Sequence, residues 1–197
     1  MYARLVIAVL AVAALGVGAA PAYAGEQKAV LITGASTGIG RNMAETLAAE
    51  GFFVYAGARK DKDIAELDAI DNVKGVRLDV TSQADVDAAV ELVTAGGRGL
   101  WAVVNNAGVA TRAPVAEVTD DEVDFVFAVN VDGVMRVTRA FIPLIVESKG
   151  RIVTTGSIAG IRSGPGGSVY SMTKHAVEAF TDSLAAEMAD AGVQVSV

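Results

Sequence analysis

The chain has 197 residues, of which 52% are hydrophobic and 20% charged; its net charge is −7 and it contains no cysteine. This composition is typical of a globular chain that can bury one sizeable core. The acidic balance argues against a nucleic-acid partner. Without cysteine, disulfides, thiolate metal ligands and cysteine nucleophiles are excluded. With a single histidine, His175, a multi-histidine metal site is excluded too, and we expect no metal.

The first 24 residues differ from the rest of the chain. Arg4 precedes an uncharged run over residues 5–25, and Ala22-Tyr23-Ala24 lies near the end of that run. A basic start, an apolar run and an A-x-A end are typical of a secretory signal peptide, here cut after Ala24. Cleavage would make the protein periplasmic or secreted. The alternative is an uncleaved membrane anchor, because about 20 apolar residues can span a bilayer.

Residues 25–197 alternate short apolar runs with amphipathic segments. The apolar runs predict strands over residues 28–33, 53–57, 73–78, 100–104, 151–155 and 193–197. Helical spacing predicts helices over 40–50, 64–70, 83–94, 120–145 and 169–189, and Pro143 predicts a bend in the fourth of them. Strands that are apolar on both faces and alternate with helices predict one α/β domain. We expect a doubly wound parallel sheet (Rossmann fold) with strand order 3-2-1-4-5-6.

A glycine-rich segment, Thr33-Gly34-Ala35-Ser36-Thr37-Gly38-Ile39-Gly40, follows the first predicted strand. Glycines let the backbone turn tightly and approach a ligand closely. The helix that follows offers unpaired N–H groups and the positive end of its dipole to a pyrophosphate. The segment lacks the Gly-Lys-Ser/Thr of a P-loop. It predicts a dinucleotide site, and the alternative is an ordinary strand-to-helix turn.

The end of the second strand bears on which dinucleotide binds. An acid there binds a free ribose 2′-hydroxyl, whereas a basic residue accommodates a 2′-phosphate. The sequence reads Ala58-Arg59-Lys60, with no acid at the strand end. This favours NADP over NAD, and Asp61 keeps NAD as the alternative.

Tyr170 and Lys174 are predicted to lie one helical turn apart on the last helix. A free tyrosine is a poor base at neutral pH, but a nearby ammonium favours the phenolate. The pair could therefore transfer protons, or it could be an ordinary surface pair. Ser157 follows the fifth predicted strand. Ligands bind at the carboxyl ends of strands in such sheets, so Ser157, the glycine segment and Tyr170 should face one crevice.

Taken in order, these motifs resemble the short-chain dehydrogenase/reductase family over residues 28–197. Residues 99–108 and 177–184 are similar to its branch of retinol, hydroxysteroid and 3-hydroxybutyrate dehydrogenases. The motifs that carry the resemblance are Thr33-Gly34…Gly38-Ile39-Gly40, Asp79-Val80, Asn105-Asn106-Ala107-Gly108, Asn130, Ser157 and Tyr170…Lys174.

The resemblance implies an enzyme that interconverts an alcohol and a carbonyl with a nicotinamide cofactor. It suggests a lipophilic secondary or allylic alcohol as substrate. Tyr170 would be the general acid/base, Lys174 would assist it and hold the ribose, and Ser157 would bind the substrate oxygen. Asn130 would support a water relay to Lys174, and Asn105 would brace the sheet. The cofactor residues would be Gly34, Ser36, Thr37, Gly38, Ile39, Gly40, Arg59, Asp79, Val80, Asn106, Ala107, Gly108, Tyr170 and Lys174.

Single residues also have simpler interpretations. Asp79 could cap the following helix, Asn130 could be a locally bonded packing residue, and Ser157 could be a turn residue. Family chains continue past a sixth strand, so we expect this chain to be a fragment of a longer enzyme. A cofactor-binding protein without turnover is the alternative function. A homodimer or homotetramer is expected by resemblance.

Overall fold

Six strands form one sheet in the computed structural model, which describes residues 27–197. The predicted signal peptide or anchor at residues 1–24 lies outside the described residues. The strands are β1 (Ala29–Ile32), β2 (Phe53–Ala58), β3 (Val73–Arg77), β4 (Ala102–Asn105), β5 (Arg151–Thr154) and β6 (Gln194–Ser196).

Six α-helices connect the strands. They are α1 (Gly38–Ala49), α2 (Asp61–Asp68), α3 (Gln83–Ala95), α4 (Asp120–Phe127), α5 (Gly133–Ser148) and α6 (Ser168–Met188). A π-helical turn, Ala128–Asp132, joins α4 to α5, and a 3-10 turn, Ile158–Gly160, follows β5. Within residues 27–197, none of the helices combines the length and the apolar character needed to cross a bilayer.

The sheet is parallel throughout, and its strand order is β3-β2-β1-β4-β5-β6. In the register, Val30 of β1 lies opposite Val54 of β2 on one side and Ala102 of β4 on the other. This confirms the predicted doubly wound fold and its strand order. Because the chain moves outward from β1 in one direction and from β4 in the other, a crevice opens beyond the carboxyl ends of these two strands.

The central strands β1, β2 and β4 are buried on both faces because helices cover each face of the sheet. Leu31 packs into a core shared with α3, α5 and α6, in which Phe141 is fully buried. Its neighbour Ile32 points the other way, into a core shared with α1 and α2 that includes Val54 and Leu67. The β1 strand is thus fixed from both sides, and so is the loop that leaves its carboxyl end.

The helix predicted over residues 120–145 is wrong as one continuous element. A capping box between Thr119 and Glu122 starts α4. The π turn then interrupts the helix at Asn130, whose side chain bonds the backbone of Val109. The predicted bend at Pro143 lies inside α5, which continues to Ser148.

Candidate active site

The glycine segment makes a tight loop between β1 and α1. Gly34 and Gly38 have φ values of +64° and +58°, a region that glycine adopts without steric cost. Thr37 precedes α1 in an extended conformation and makes no side-chain cap bond. The first N–H groups of α1 therefore stay available to an anion.

Close packing explains why no side chain fits at Gly40. A Cβ atom there would collide with Asn106 Nδ2 and with the carbonyl oxygen of Gly34. The amide of Asn106 occupies this space because its Nδ2 donates to the carbonyl oxygens of Thr33 and Gly34, at 3.0 and 3.2 Å. These two hydrogen bonds hold the loop after β4 against the loop after β1.

Thr33 completes this connection from inside the sheet. The residue is 1% exposed, and its hydroxyl oxygen accepts the backbone N–H groups of Asn106 and Ala107, at 3.0 and 2.9 Å. Sequence reasoning placed Thr33 in the motif but gave it no role. Its two partners lie more than 70 residues away in sequence, so only the fold shows this role.

A cleft of about 330 Å³ lies over these loops. Most of the predicted cofactor residues line it. Gly38 shapes the loop without lining the cleft, and Tyr170 and Lys174 lie elsewhere. The lining residues are Gly34, Ser36, Thr37, Ile39, Gly40, Ala58, Arg59, Leu78, Asp79, Val80, Asn106, Ala107, Gly108, Val109 and Val129. Ala58, Leu78, Val109 and Val129 were not predicted to line it.

Charges of both signs meet at the end of this cleft beyond β2 and β3. Arg59 Nη1 lies 4.0 Å from Asp79 Oδ2, and the Arg59 side chain is largely exposed. Burial alone would raise the pKa of Asp79, but hydrogen bonds from Thr81 and the charges of Arg59 and Arg136 outweigh it and hold the pKa below its ordinary value. Asp79 is therefore an anion at neutral pH.

Asp79 does not cap the helix that follows it. Its Oδ1 accepts the N–H and the hydroxyl of Thr81, which closes a turn directly after β3. The N-cap of α3 is Ser82, whose hydroxyl accepts the N–H of Asp85. The carboxylate of Asp79 consequently keeps one side toward the cleft.

The predicted proton-transfer pair lies on α6. Lys174 is 8% exposed, and its Nζ lies 5.7 Å from the centre of the Tyr170 ring. Nζ donates a hydrogen bond of 2.7 Å to the carbonyl oxygen of Thr155, just beyond β5. Burial lowers the pKa of Lys174, and the negative charge of Glu178 only partly offsets this. The ammonium is thus fixed beside Tyr170 and poorly solvated.

Asn130 lies near the pair, but its side chain makes no hydrogen bond to Tyr170 or Lys174. Its Oδ1 accepts the N–H of Val109 at 2.9 Å, and its Nδ2 donates to the Val109 carbonyl at 2.8 Å. A further bond of 3.1 Å runs from Nδ2 to the hydroxyl of Thr173, the residue before Lys174. The side chain joins the loop after β4 to α6 across the site, so it is not a locally bonded packing residue.

Ser157 and Tyr170 line a second cleft of about 480 Å³. The Ser157 hydroxyl oxygen accepts the N–H of Ala159 at 3.1 Å, which leaves its O–H free to donate into the cleft. The loop after β4 connects the two clefts, since Gly108 and Val109 line the first and residues 110–112 the second. The two clefts therefore adjoin along this loop. Ser157 and Tyr170 face the second cleft, and most of the predicted cofactor residues face the first.

Asn105 and His175 line neither cleft. Asn105 is buried, and its Nδ2 donates to the hydroxyl of Thr138 at 2.9 Å, which joins β4 to α5. His175 is exposed, and its Nδ1 lies 2.8 Å from the carbonyl oxygen of Ser171 on the same helix. Among residues 27–197, no group of three or more His, Asp or Glu side chains is placed to hold a metal.

The residues present fit a bound dinucleotide. The loop between β1 and α1 excludes a side chain at Gly40, exposes helix N–H groups, and opens into the first cleft. Such a surface could hold a pyrophosphate, with Asp79 and Arg59 at one end of the cleft. Sequence reasoning gave no role to Thr155, whose carbonyl oxygen accepts from Lys174, because the two residues are distant in sequence. It also gave none to Glu178, whose charge acts on Lys174, although the i,i+4 spacing of these two residues on α6 was an available signal.

Comparisons with known proteins agree with this geometry. The family model for short chain dehydrogenases matches residues 28–197. D-beta-hydroxybutyrate dehydrogenase of Rattus norvegicus is 39% identical over 186 residues, which cover 89% of this chain and 54% of that protein. 17-beta-hydroxysteroid dehydrogenase type 6 of Bos taurus is 38% identical, with 87% of this chain and 56% of that protein covered. Retinol dehydrogenase 16 of Mus musculus is 36% identical, with 87% of this chain and 56% of that protein covered.

Solved structures give the same result. A 3-ketoacyl-(acyl-carrier-protein) reductase from Brucella melitensis, complexed with NADH, has a TM-score of 0.82 and 33% identity, with 87% of this chain and 74% of that one covered. A gluconate 5-dehydrogenase from Burkholderia cenocepacia, in complex with NADP and tartrate, has a TM-score of 0.80 and 29% identity. The match covers 85% of this chain and 68% of that one.

The chain spans about half the length of the curated relatives it matches. Within that span the match includes the glycine loop, the sheet and the helix that carries Tyr170 and Lys174. The relatives include 3-hydroxybutyrate, hydroxysteroid and retinol dehydrogenases, which confirms the branch predicted from the sequence. The chain belongs to the short-chain dehydrogenase family.

Proposed function

We propose that this protein is an NADP-dependent oxidoreductase that interconverts an alcohol and a carbonyl, with Tyr170 as the general acid/base. One observation carries the proposal: Tyr170 and Ser157 line the same cleft, and the buried ammonium of Lys174 lies 5.7 Å from the Tyr170 ring. The lipophilic secondary or allylic alcohol suggested by the sequence is the proposed substrate, and the largely apolar wall of this cleft supports it.

Each group has a distinct task in the proposed reaction. Bound nicotinamide supplies hydride chemistry at the substrate carbon. Ser157 donates its O–H to the substrate oxygen and positions it. In reduction Tyr170 gives its proton to that oxygen, and in oxidation it removes the proton. Lys174 favours the phenolate form of Tyr170 by its charge. One of its N–H groups is committed to Thr155, which fixes the ammonium and leaves the others for a ribose hydroxyl.

We infer that NADP is preferred because of the charges around Arg59. No acid ends β2, and the exposed guanidinium of Arg59 borders the first cleft. Its ion pair with Asp79 is long, at 4.0 Å, and solvent-exposed, so it is weak enough to yield to a phosphate. NAD remains the alternative cofactor.

Asn130 is proposed to act as a positioning residue. Its carboxamide is committed to Val109 and Thr173, so it holds the loop after β4 against α6. The water relay to Lys174 stays a prediction. If the relay exists, the side chain of Asn130 supports it by shaping the surrounding backbone, since both its oxygen and its nitrogen already have partners.

Self-association is proposed through α5 and α6. An apolar groove of about 340 Å³ runs between these helices, lined among others by Val134, Met135, Val177 and Phe180. A homodimer or homotetramer would cover it. Export, membrane anchoring through residues 1–24, and a parent enzyme longer than this chain all stay predictions.

Replacing Tyr170 with phenylalanine tests the proposed function. Y170F removes only the phenolic oxygen, so we expect turnover of a lipophilic secondary alcohol with NADP to fall by about 10²–10⁴-fold while cofactor binding persists. Y55F is the matched control, because Tyr55 is a buried tyrosine that lines neither cleft. The assay follows nicotinamide absorbance for kcat and titrates NADPH for affinity.

The outcomes separate the two candidate functions. Retention of turnover by Y170F would exclude Tyr170 as the acid/base. A wild-type chain that binds NADPH tightly but turns over none of a panel of alcohols and carbonyls would instead support a cofactor-binding protein without catalysis.

A further inference from the structure

The cleft that contains Ser157 and Tyr170 is positively charged in an acidic protein. The chain carries 23 acidic against 16 basic residues. Nevertheless the two charged side chains that line this cleft are both arginines, Arg112 and Arg162, and no carboxylate lines it. The excess of acidic residues elsewhere makes this local reversal of charge informative about what enters the cleft.

The two arginines reach the cleft from different loops. Arg112 lies between β4 and α4, and Arg162 lies between the 3-10 turn and α6. Both are exposed. The loop of Arg112 also carries Gly108, and the segment of Arg162 also carries Ser157. A ligand seated against Ser157 and Tyr170 would therefore lie within the same enclosure as both guanidinium groups.

These arginines differ from every other arginine in residues 27–197 in having no partner there. Neither forms an ion pair, a side-chain hydrogen bond or a ring contact with another residue of that range. The rest each contact a carboxylate, an amide or carbonyl oxygen, a sulfur or an aromatic ring. They are Arg41, Arg59, Arg77, Arg98, Arg136, Arg139 and Arg151. An unpaired guanidinium presents a planar fork of donors that matches a carboxylate.

The remaining wall of the cleft is mainly apolar. Ile158, Ala159, Pro165 and Ala110 contribute to it, and the side chain of Ile158 is 72% exposed. At about 480 Å³ the cleft falls within the size range of small-molecule sites. Apolar walls combined with two free cations suit a molecule that is itself part apolar and part anionic.

We propose that the substrate of this enzyme carries a carboxylate on an apolar chain, and that Arg112 and Arg162 bind this carboxylate and select for it. The inference rests on the proposed function, because it assumes that the carbinol or carbonyl of the same molecule lies at Ser157 and Tyr170. It refines the substrate class from a lipophilic alcohol to a lipophilic hydroxy acid or oxo acid.

Binding of matched eight-carbon probes tests the proposal without requiring turnover. Octanoate, octanamide and octyl phosphate share a chain and differ in their head group. Each is titrated by calorimetry into the full chain, with and without NADPH, whose own affinity is measured on the same samples. We expect octanoate to bind about tenfold more tightly than octanamide, as a charge-assisted hydrogen bond predicts. The preference should weaken as salt is raised.

Three variants locate the effect. R112Q and R162Q should each reduce the preference for octanoate, and the double variant should abolish it while leaving octanamide affinity unchanged. R139Q is the matched control, because Arg139 is an exposed arginine of α5 that lines neither of the first two clefts. Neither Arg112 nor Arg162 packs against the core, so circular dichroism should show that all variants are folded.

Each outcome either supports or overturns the carboxylate proposal. Equal binding of octanoate and octanamide, no binding of octanoate to the folded chain, or a preference that survives in the double variant overturns the proposal. A preference for octyl phosphate over octanoate overturns the carboxylate assignment in favour of a phosphoryl group. Failure of the proposed function looks different: octanoate selectivity then persists and depends on both arginines, while NADPH does not bind and Y170F changes nothing.

Discussion

Lys174 is a charged side chain that the fold holds almost out of solvent. It is 8% exposed, and burial lowers its pKa. Its Nζ bonds the Thr155 carbonyl oxygen, and no carboxylate lies close enough for an ion pair among residues 27–197. A buried cation with one carbonyl partner is costly to the folded state. Such a cost to stability is expected where a lysine serves proton transfer instead of stabilising the fold.

This burial predicts a pH-dependent stability that K174M should remove. The unfolded chain has the ordinary lysine pKa near ~10.4. The folded pKa is lower, so as pH rises through it the folded state loses a proton that the unfolded state still holds. The free energy of unfolding of the wild type then increases with pH until the unfolded pKa is reached. The free energy of unfolding of the wild type minus that of K174M should therefore be lowest at neutral pH and should rise at alkaline pH.

Urea unfolding from neutral to alkaline pH measures this difference. K62M serves as the control for loss of a lysine, since the Lys62 side chain is 84% exposed. A difference between wild type and K174M that stays constant across the series would mean that Lys174 is solvated well enough to keep its charge without cost.

At the residue scale, sequence could predict the groups that belong to a spaced pattern. The interval between Tyr170 and Lys174 follows directly from helical geometry. Arg112 and Thr33 could not be assigned in this way. Arg112 is an isolated arginine in a loop, and only the folded chain shows that it shares a cleft with Arg162. Thr33 acts through two backbone N–H groups that are distant in sequence, and no local pattern records them.

Among the elements, the helix after β4 shows where a periodic pattern misleads. Residues 120–145 keep an apolar spacing throughout, and this predicts one helix. The π turn at Ala128–Asp132 coincides with a tertiary contact, the bonds between Asn130 and Val109. Hydrophobic periodicity does not report such contacts. Pro143 gave a visible local signal, but α5 continues past it to Ser148.

The turn between β1 and α1 gives the clearest prediction at this scale. In G40A the new methyl group would meet the backbone oxygen of Gly34 and the amide of Asn106. Since the backbone cannot yield cheaply, we expect a loss of about 1–3 kcal/mol in the free energy of unfolding. NADPH affinity should fall as well, because the loop that faces the pyrophosphate moves.

Chemical denaturation and NADPH titration of G40A measure both effects. G164A is the control, since no atom lies within 4 Å of a Cβ at Gly164. It should be neutral or more stable by about 0.4–1 kcal/mol. Normal stability with normal NADPH affinity in G40A would show that the contact between Gly40 and Asn106 does not shape the site.

On the scale of the whole molecule, the sheet order could be predicted because the central strands are apolar on both faces and each connection contains a helix. That order alone brings the ends of β1, β4 and β5 together, and with them the glycine loop, Asn106 and Ser157. The division into two clefts could not be predicted, because it depends on where the loop of residues 108–112 turns across the crevice.

Cofactor preference should be visible in the thermal stability of the whole domain. A ligand that binds only the folded state stabilises it by about 2.7 kcal/mol at one hundred times its Kd. The first cleft contacts residues from the ends of β1 to β4, so binding should stabilise the sheet as a unit. At equal concentrations NADPH should raise Tm more than NADH, because Arg59 is available to a 2′-phosphate.

R59Q should remove this difference. Loss of one charge-assisted phosphate contact costs about tenfold in affinity, or roughly 1.4 kcal/mol, and that corresponds to about 2–4 °C in Tm for a domain of this size. The shift with NADH should be unchanged. K62Q removes the same charge from α2, away from the lining of the cleft, and should keep the preference. An equal NADPH shift in wild type and R59Q, or a larger wild-type shift with NADH, would overturn the assignment of NADP and of Arg59 as its determinant.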